Sequence, residues 1–324
     1  MSRYLEPRAP GAPPIVALGT MNFGKRTPED EARRVMARAS ERDVRLFDTA
    51  NVYGDGASER IVGRAVRELG LPVSIATKVG MMRLADSAGR EGLAPERMLR
   101  ALDESLSRLG VAAIDLWYLH APDDAVPIDE TIDAVGRALA AGKIRAWGMS
   151  NYASWEVLEA RVVASRLGVA PPRVSQLLYN LLVRQLDVEW FEFARRHGVH
   201  TTVFNALAGG LLAGRHRRGE KPAKGSRFDG NKLYLDRYWS DRNFALVEAY
   251  AAIAARAGMP LADLAHAWVA SAAGVDSILV GPGSLAHLDA ALDACARALS
   301  PELRAEIDRL NVSATGTNAR YARH

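Results

Sequence analysis

Apolar positions in this chain fall into two alternating rhythms. Short, nearly continuous apolar runs occupy 15–19, 45–48, 74–78, 115–120, 144–150, 174–180, 200–205 and 276–280. Between them, longer segments repeat their apolar residues every three or four positions, at 28–41, 58–69, 95–109, 129–141, 154–167, 188–197, 243–257, 262–273 and 284–298. Runs of the first kind read as strands buried on both faces; segments of the second kind read as amphipathic helices. The segment 95–109 is the clearest, with Met98, Leu102, Leu106 and Leu109 on one stripe. Glycines at 70, 142, 168 and 198 close four of the predicted helices. A helix trails every strand, which predicts a parallel sheet with right-handed crossovers. Eight such units without a diverging half predict a single-domain α/β protein over 1–324, a closed (β/α)8 TIM barrel rather than a doubly wound sheet. Residues 1–14, rich in Pro and Gly, predict an N-terminal capping segment. The polar stretch 215–240 breaks the rhythm and predicts an inserted loop.

Composition narrows this picture without changing it. The 324 residues are 48% hydrophobic and 25% charged, which suits a globular protein with a large core. One cysteine, Cys295, excludes an internal disulfide and a cysteine-cluster metal site, and reads as a small apolar helix residue. The start has no signal-type apolar core, and no run of about 18 apolar residues occurs. These features predict a cytoplasmic protein with no membrane span. The net charge of +4 favours an anionic ligand weakly and makes no case for nucleic acid.

In parallel barrels the chemistry gathers at the C-terminal strand ends. Here those ends bring Asp48, Tyr53, Lys78, His120, Ser150, Asn151, Gln176 and Asn205. The set holds no isolated acid pair for glycoside cleavage, no serine in a nucleophile elbow and no metal-type spacing. It offers a phenol, a lysine and a carboxylate. A phenol is a weak acid near neutrality, with a reference pKa of about 10. A nearby ammonium lowers that value, and Asp48 can hold the ammonium in place. Such a tyrosine can protonate a carbonyl oxygen as hydride reaches carbon, with His120 orienting the oxygen. The hydride has to come from a cofactor.

The segments Phe47-Asp48-Thr49-Ala50, Val52-Tyr53-Gly54, Ala76-Thr77-Lys78, Tyr118-Leu119-His120 and Gly148-Met149-Ser150-Asn151 resemble the aldo-keto reductase superfamily. Within it, Leu18-Gly19-Thr20-Met21, Leu119-His120-Ala121-Pro122-Asp123, the run from Ser150 through Val157, and Leu207-Ala208-Gly209-Gly210-Leu211-Leu212 look closest to the aflatoxin-aldehyde and succinic-semialdehyde reductases. The resemblance implies an NAD(P)H-dependent reductase of aldehydes or ketones. Asp48, Tyr53, Lys78 and His120 would be its catalytic tetrad, with Tyr53 the proton donor. Gly19, Thr20, Met21 and Asp48 would border the cofactor. Ser150, Asn151 and Gln176 would hold the nicotinamide carboxamide, and Phe204, followed by Asn205, would stack on its ring. Leu207, Gly209, Gly210, Leu211 and Gly214 would approach the pyrophosphate, with Arg215 beside them. Gly281, Gly283, Ser284 and His287 would receive the adenosine phosphate end at a helix N-terminus. Arg237 would be a basic contact, and Tyr234 a substrate contact. The tail 311–324 would reach the substrate pocket, its Arg323 pairing with a carboxylate. Carboxylated or dicarbonyl aldehydes are then the favoured substrates.

NADPH is the implied cofactor, with NADH possible, because His287, Ala290 and Ala291 replace the Gln and Asn usual in that subfamily. A small carbonyl compound is the expected partner. The resemblance allows a homodimer. Two alternatives stay open: a sugar or polyketide-tailoring ketoreductase on the same barrel, and an NADPH-sensing regulatory subunit like the potassium-channel β subunits. The basic run 215–227 reads either as a solvated mobile loop or as a lid over the cofactor phosphates. Trp117, Trp147 and Trp268 read as core, and Trp155 as helix packing.

Overall fold

The computed structural model describes residues 1–9, 11–83 and 89–316. Eight strands, β1 (Ile15–Gly19), β2 (Leu46–Asp48), β3 (Ser74–Val79), β4 (Leu116–Leu119), β5 (Trp147–Ser150), β6 (Val174–Leu178), β7 (His200–Phe204) and β8 (Ser277–Val280), close into a barrel in chain order. Every pairing is parallel, and β8 closes on β1 with Leu18 opposite Val280. Six helices pack outside the first strands: α1 (Glu29–Glu41), α2 (Ala57–Glu68), α3 (Pro95–Leu109), α4 (Ile128–Ala140), α5 (Ser154–Arg166) and α6 (Trp190–His197). Around the last two strands lie α7 (Lys232–Tyr238), α8 (Asp241–Arg256), α9 (Leu261–Ser271), α10 (Leu285–Cys295) and α11 (Pro301–Thr315). The expected (β/α)8 barrel is therefore present.

The period-2 alternation of a strand explains why the apolar runs look continuous. Phe47, Trp117, Leu119, Trp147, Met149 and Leu177 point outward into the layer under the helices. Their neighbours Leu46, Ala76, Leu116, Tyr118, Ala146 and Val174 fill the barrel interior. Gly148 makes room there, because a Cβ at that position would come within 2.8 Å of the Tyr118 ring and 2.5 Å of the Val174 carbonyl. The same alternation turns Asp48, Lys78 and Gln176 inward above the apolar layer, with side chains almost wholly buried.

The lower end of the barrel is sealed. Tyr4 is buried against the inner layer; its hydroxyl donates to Val16 O (3.2 Å) and accepts from Arg45 N (3.1 Å). Further along the same segment, Arg8 N donates to Asp276 Oδ1 (2.8 Å) and Glu6 O meets His200 Nδ1 (2.7 Å).

Several expectations need adjustment. The stretch 215–240 carries a helix, α7, begun by Asn231, whose side chain accepts from Tyr234 N. Its Tyr234 and Tyr238 join a second core with Phe228, Phe244 and Trp268. The tail does not begin at 311, since α11 runs on to Thr315; Ser300 caps it, and Ile307 is its one fully buried residue. Residues 317–324, Arg323 among them, lie outside the described residues. Trp155 is not packed: it is 66% exposed on α5. Trp117, Trp147, Trp268 and Cys295 are buried as expected. Among the described residues, no single helix is long and apolar enough to cross a membrane.

Candidate active site

Tyr53 lies in the turn between β2 and α2, and hydrogen bonds fix that turn at both ends. Tyr53 N donates to Ala50 O (3.0 Å), Asn51 N to Lys78 O (3.2 Å) and Ser58 N to Tyr53 O (3.2 Å). Ser58, at the start of α2, joins a buried hydroxyl cluster. Thr49 Oγ1 donates to Ser58 Oγ (2.9 Å), Ser58 Oγ bonds Thr20 O (3.0 Å), and Thr20 Oγ1 lies 2.8 Å from Ser58 Oγ. One residue on, the buried Glu59 accepts from Thr77 Oγ1 (2.5 Å) and Arg108 Nε (2.6 Å). The Thr20 hydroxyl thus helps anchor the Tyr53 turn, which sequence alone did not suggest.

Lys78 and Asp48 form a buried ion pair directly beneath the turn. Lys78 Nζ also donates to Thr49 O (2.8 Å), and Gln176 Nε2 donates to the other Asp48 oxygen (2.8 Å). Burial by itself would lower the lysine pKa, but Asp48 and Tyr53 raise it, so the ammonium persists. Lys78 Nζ lies 5.2 Å from the centre of the Tyr53 ring. The phenol's pKa nonetheless ends above the ordinary tyrosine value: burial raises it, and the opposing pull of Lys78 is smaller. The expected net lowering is therefore corrected. The hydroxyl keeps its proton at rest, and Lys78 limits how reluctantly it is given up.

His120 follows β4, its ring edge-on to Tyr53 with centroids 6.0 Å apart. Burial, with Lys78 and Arg90 nearby, lowers its pKa to about 3, so the ring is neutral. Its Nδ1 is buried without a hydrogen-bond partner among the described residues. The four tetrad residues thus converge at one mouth, above the apolar layer and away from the Tyr4 seal.

The other site residues ring this centre. Asn151 takes a left-handed φ of 66°, and its Nδ2 donates to His120 O (2.9 Å) and Ser150 Oγ (3.1 Å). Phe204 ends β7, half-buried. Beyond it, Asn205, Ala208, Gly209 and Gly210 all adopt positive φ (65°, 48°, 71° and 107°). Left-handed residues in such a turn aim backbone N–H groups into a concavity suited to anions. Asn205 shapes the turn, with Oδ1 accepting from Gly209 N (2.7 Å) and Nδ2 donating to the Tyr238 hydroxyl (2.8 Å). A Cβ on Gly209 would lie 2.7 Å from the Tyr234 ring, whereas one on Gly210 would meet nothing within 4 Å. Leu211 is buried in the second core, so only its backbone faces the turn. Arg215 NH2 reaches His287 Nε2 (2.8 Å) on α10, whose cap is Ser284. Asp289, farther along α10, is held by Arg38 of α1 and by Arg42, the C-cap of that helix. Arg237 interacts with the Tyr238 hydroxyl.

Residues 225–234 reach across the mouth. Arg26, after β1, donates to Gly225 O (3.2 Å) and Ser226 O (3.3 Å). Arg227 donates to Asn22 Oδ1 (3.3 Å) and the Tyr234 hydroxyl (3.4 Å). Sequence reasoning passed over Asn51, Arg90 and Glu91, and gave Tyr238 no role; it read Ser58 as a helix N-cap, the position that Gly56 holds. Glu91 lies well past the end of β3 at Val79, and no local pattern marked it.

The comparisons agree with this geometry. Residues 15–312 match the Aldo/keto reductase family model. The human protein named aflatoxin B1 aldehyde reductase member 2 is 36% identical over 297 residues, covering 86% of this chain and 81% of that protein. An Arabidopsis thaliana protein named probable voltage-gated potassium channel subunit beta is 32% identical over 267 residues, covering 81% of this chain and 80% of that one. Among solved structures, the glycerol dehydrogenase of Gluconobacter oxydans superposes with a TM-score of 0.79 at 27% identity, over the full length of both chains. With a family match over nearly the whole barrel and the tetrad in one mouth, the chain belongs to the aldo/keto reductase family and is an oxidoreductase.

Proposed function

We propose that this protein reduces aldehydes and ketones to alcohols with NADPH, Tyr53 giving the proton. The observation that carries the reading is the convergence of Tyr53, the Lys78–Asp48 pair and neutral His120 at one barrel mouth.

The residues present suit a nicotinamide cofactor. Asn151 spends both hydrogens of its amide on His120 O and Ser150 Oγ, which leaves Oδ1 to accept from a carboxamide. The open face at Gly210 admits a phosphate close to the backbone. Ser150, Asn151 and Gln176 would hold the carboxamide, Phe204 the ring, Gly209 to Gly214 the pyrophosphate, and Arg215, Ser284 and His287 the adenosine phosphate end. When bound, the cofactor supplies the hydride that no side chain can. His120, being neutral, can donate one hydrogen bond to the carbonyl oxygen without surrendering its own proton. Tyr53 then transfers its proton to that oxygen as negative charge gathers there. Lys78 stabilises the phenolate left behind, and Asp48 holds Lys78 in place. Carboxylated or dicarbonyl aldehydes are the preferred substrates, through Arg237 and Arg323.

The test follows NADPH and NADH oxidation with succinic semialdehyde, 2-carboxybenzaldehyde and methylglyoxal, for the parent, Tyr53→Phe and Arg323→Ala. Parent turnover that collapses in Tyr53→Phe is the expected result. Arg323→Ala should weaken only the carboxylated substrates; an equal loss on methylglyoxal removes the carboxylate pocket. A second reading, an NADPH-sensing subunit, is favoured by the likeness to the Arabidopsis protein. It predicts tight NADPH binding with negligible oxidation by any of these aldehydes.

A further inference from the structure

Behind the tetrad sits a buried carboxylate that the proposed chemistry does not use. Glu91 lies in the connection between β3 and α3 and is 6% exposed. Its Oε2 accepts from Gly80 N (2.7 Å) and from Asn51 Nδ2 (2.9 Å), and its Oε1 accepts from Asn51 Nδ2 as well (3.1 Å). Asn51 is itself 1% exposed and lies two residues before Tyr53. Gly80 lies two residues after Lys78, in a left-handed conformation with φ 106°. One carboxylate therefore grips the turn carrying the phenol and the strand carrying the ammonium.

The backbone around Glu91 extends the grip. Glu91 N donates to Met82 O (2.8 Å) and Gly92 N to Gly80 O (3.2 Å). Arg97 NH1 fixes Glu91 O from α3 (2.9 Å). Leu93 N donates to Asp123 Oδ2 (2.7 Å), three residues past His120. The short segment 91–93 is thus bonded to the connections that carry Tyr53, Lys78 and His120.

Among the described residues no cation pairs with this carboxylate, so burying it is costly, and a neutral residue would suffice if the segment only filled space. Two acceptor oxygens meeting two donors from different connections is what fixing a distance requires.

We infer that Glu91 is a positioning residue: through Asn51 and Gly80 it sets the separation between the Tyr53 hydroxyl and Lys78. The inference deepens the proposed reductase reading and rests on it for its kinetic arm. Reacting groups displaced by about 1 Å lose rate by up to about 100-fold without losing affinity. Glu91→Gln keeps the shape but turns one acceptor into a donor facing Asn51 Nδ2. In the exchanged pair Asn51→Asp/Glu91→Gln, the new carboxylate accepts from the new amide, whose oxygen still serves Gly80 N.

Three readouts test this on the full-length chain: steady-state reduction of an aldehyde with NADPH and 4-deuterated NADPH, NADPH affinity by fluorescence quenching, and a crystal structure of each variant. Glu91→Gln should lose about tenfold or more in kcat with unchanged NADPH affinity. Its deuterium isotope effect on kcat should rise, and its Tyr53 ring should move by about 0.5 Å or more from its 5.2 Å station over Lys78 Nζ. The exchanged pair should recover most of all three. A Glu91→Gln protein with parent kcat and an unmoved Tyr53 overturns the inference, as does a loss that the exchange leaves uncorrected. Should Glu91→Gln fail to fold, the exchanged pair decides: folded with Tyr53 in its parental place, it carries the inference; unfolded, it overturns it. A parent inert towards every carbonyl sinks the reductase reading instead, and the crystallographic arm then still judges Glu91.

Discussion

Lys78→Met is the most informative single perturbation of the site. The lysine is wholly buried, and its ammonium serves the Asp48 carboxylate, Thr49 O and the Tyr53 hydroxyl. Methionine fills a similar volume but leaves Asp48 buried with only Gln176 as a donor. Breaking a buried pair from one side costs about 3–5 kcal/mol. At roughly 2–4 °C per kcal/mol for a sizeable domain, the melting temperature should fall by about 6–20 °C. The double variant Asp48→Asn/Lys78→Met removes both charges, and its asparagine still accepts from Gln176. It should regain about 1–3 kcal/mol over the single variant. The pH dependence has a definite sign. Lys78 is the main influence opposing burial at Asp48, so its loss raises the carboxyl pKa in the folded state further above the unfolded value. A folded-state carboxyl pKa raised in this way costs stability as pH rises, so the deficit of Lys78→Met should be larger at pH 8 than at pH 5. Urea unfolding of the parent, both singles and the double at the two pH values completes the cycle. A Lys78→Met protein within about 1 kcal/mol of the parent, or a double no more stable than that single, would refute the reasoning.

Further outcomes follow from other contacts. Tyr53→Phe should cut aldehyde reduction by about 100- to 10,000-fold while the melting temperature holds, read by NADPH oxidation and calorimetry. Since His120 sits at about 3, kcat/KM should show no inflection near pH 6.5 from this group; one that vanishes in His120→Gln would contradict its neutral state. His120 and His266, the latter held at about 4 chiefly by burial, have folded-state values below those of the unfolded chain. The unfolded chain therefore takes up protons first, and stability should fall as pH drops from about 6.5 towards 4, seen as a lower urea midpoint at pH 5 than at pH 7. Tyr238→Phe removes the acceptor of Asn180 Nδ2 (3.1 Å) and Asn205 Nδ2 (2.8 Å) and should cost about 1–3 kcal/mol. It should also weaken NADPH binding through the Gly209 turn, measurable by fluorescence.

Which parts of this molecule the sequence disclosed follows from the range of the forces involved. Strand and helix periods are local, and a strand buried on both faces leaves an unbroken apolar run, so the eight units were visible. Asp48, Lys78 and His120 stood out because each polar residue terminates such a run. Helix α7 stayed hidden because it is short and its burial depends on the Gly209 turn and Trp268, distant in sequence. Helix α11 carried a start signal in Ser300 and Pro301, but with Ile307 its one fully buried residue it lacked a strong stripe. The direction of the Tyr53 shift was misjudged because counting charges registers Lys78 and misses desolvation. Glu91 was overlooked because its partners, Asn51 and Gly80, lie on other connections, and no single-segment pattern announces them.

The seal made by Tyr4 has an outcome for traffic. With Tyr4 and the inner apolar layer closing the lower end, the barrel offers no through-passage at that end. A molecule that reaches Tyr53 and His120 from the upper mouth therefore has to leave by the side from which it came.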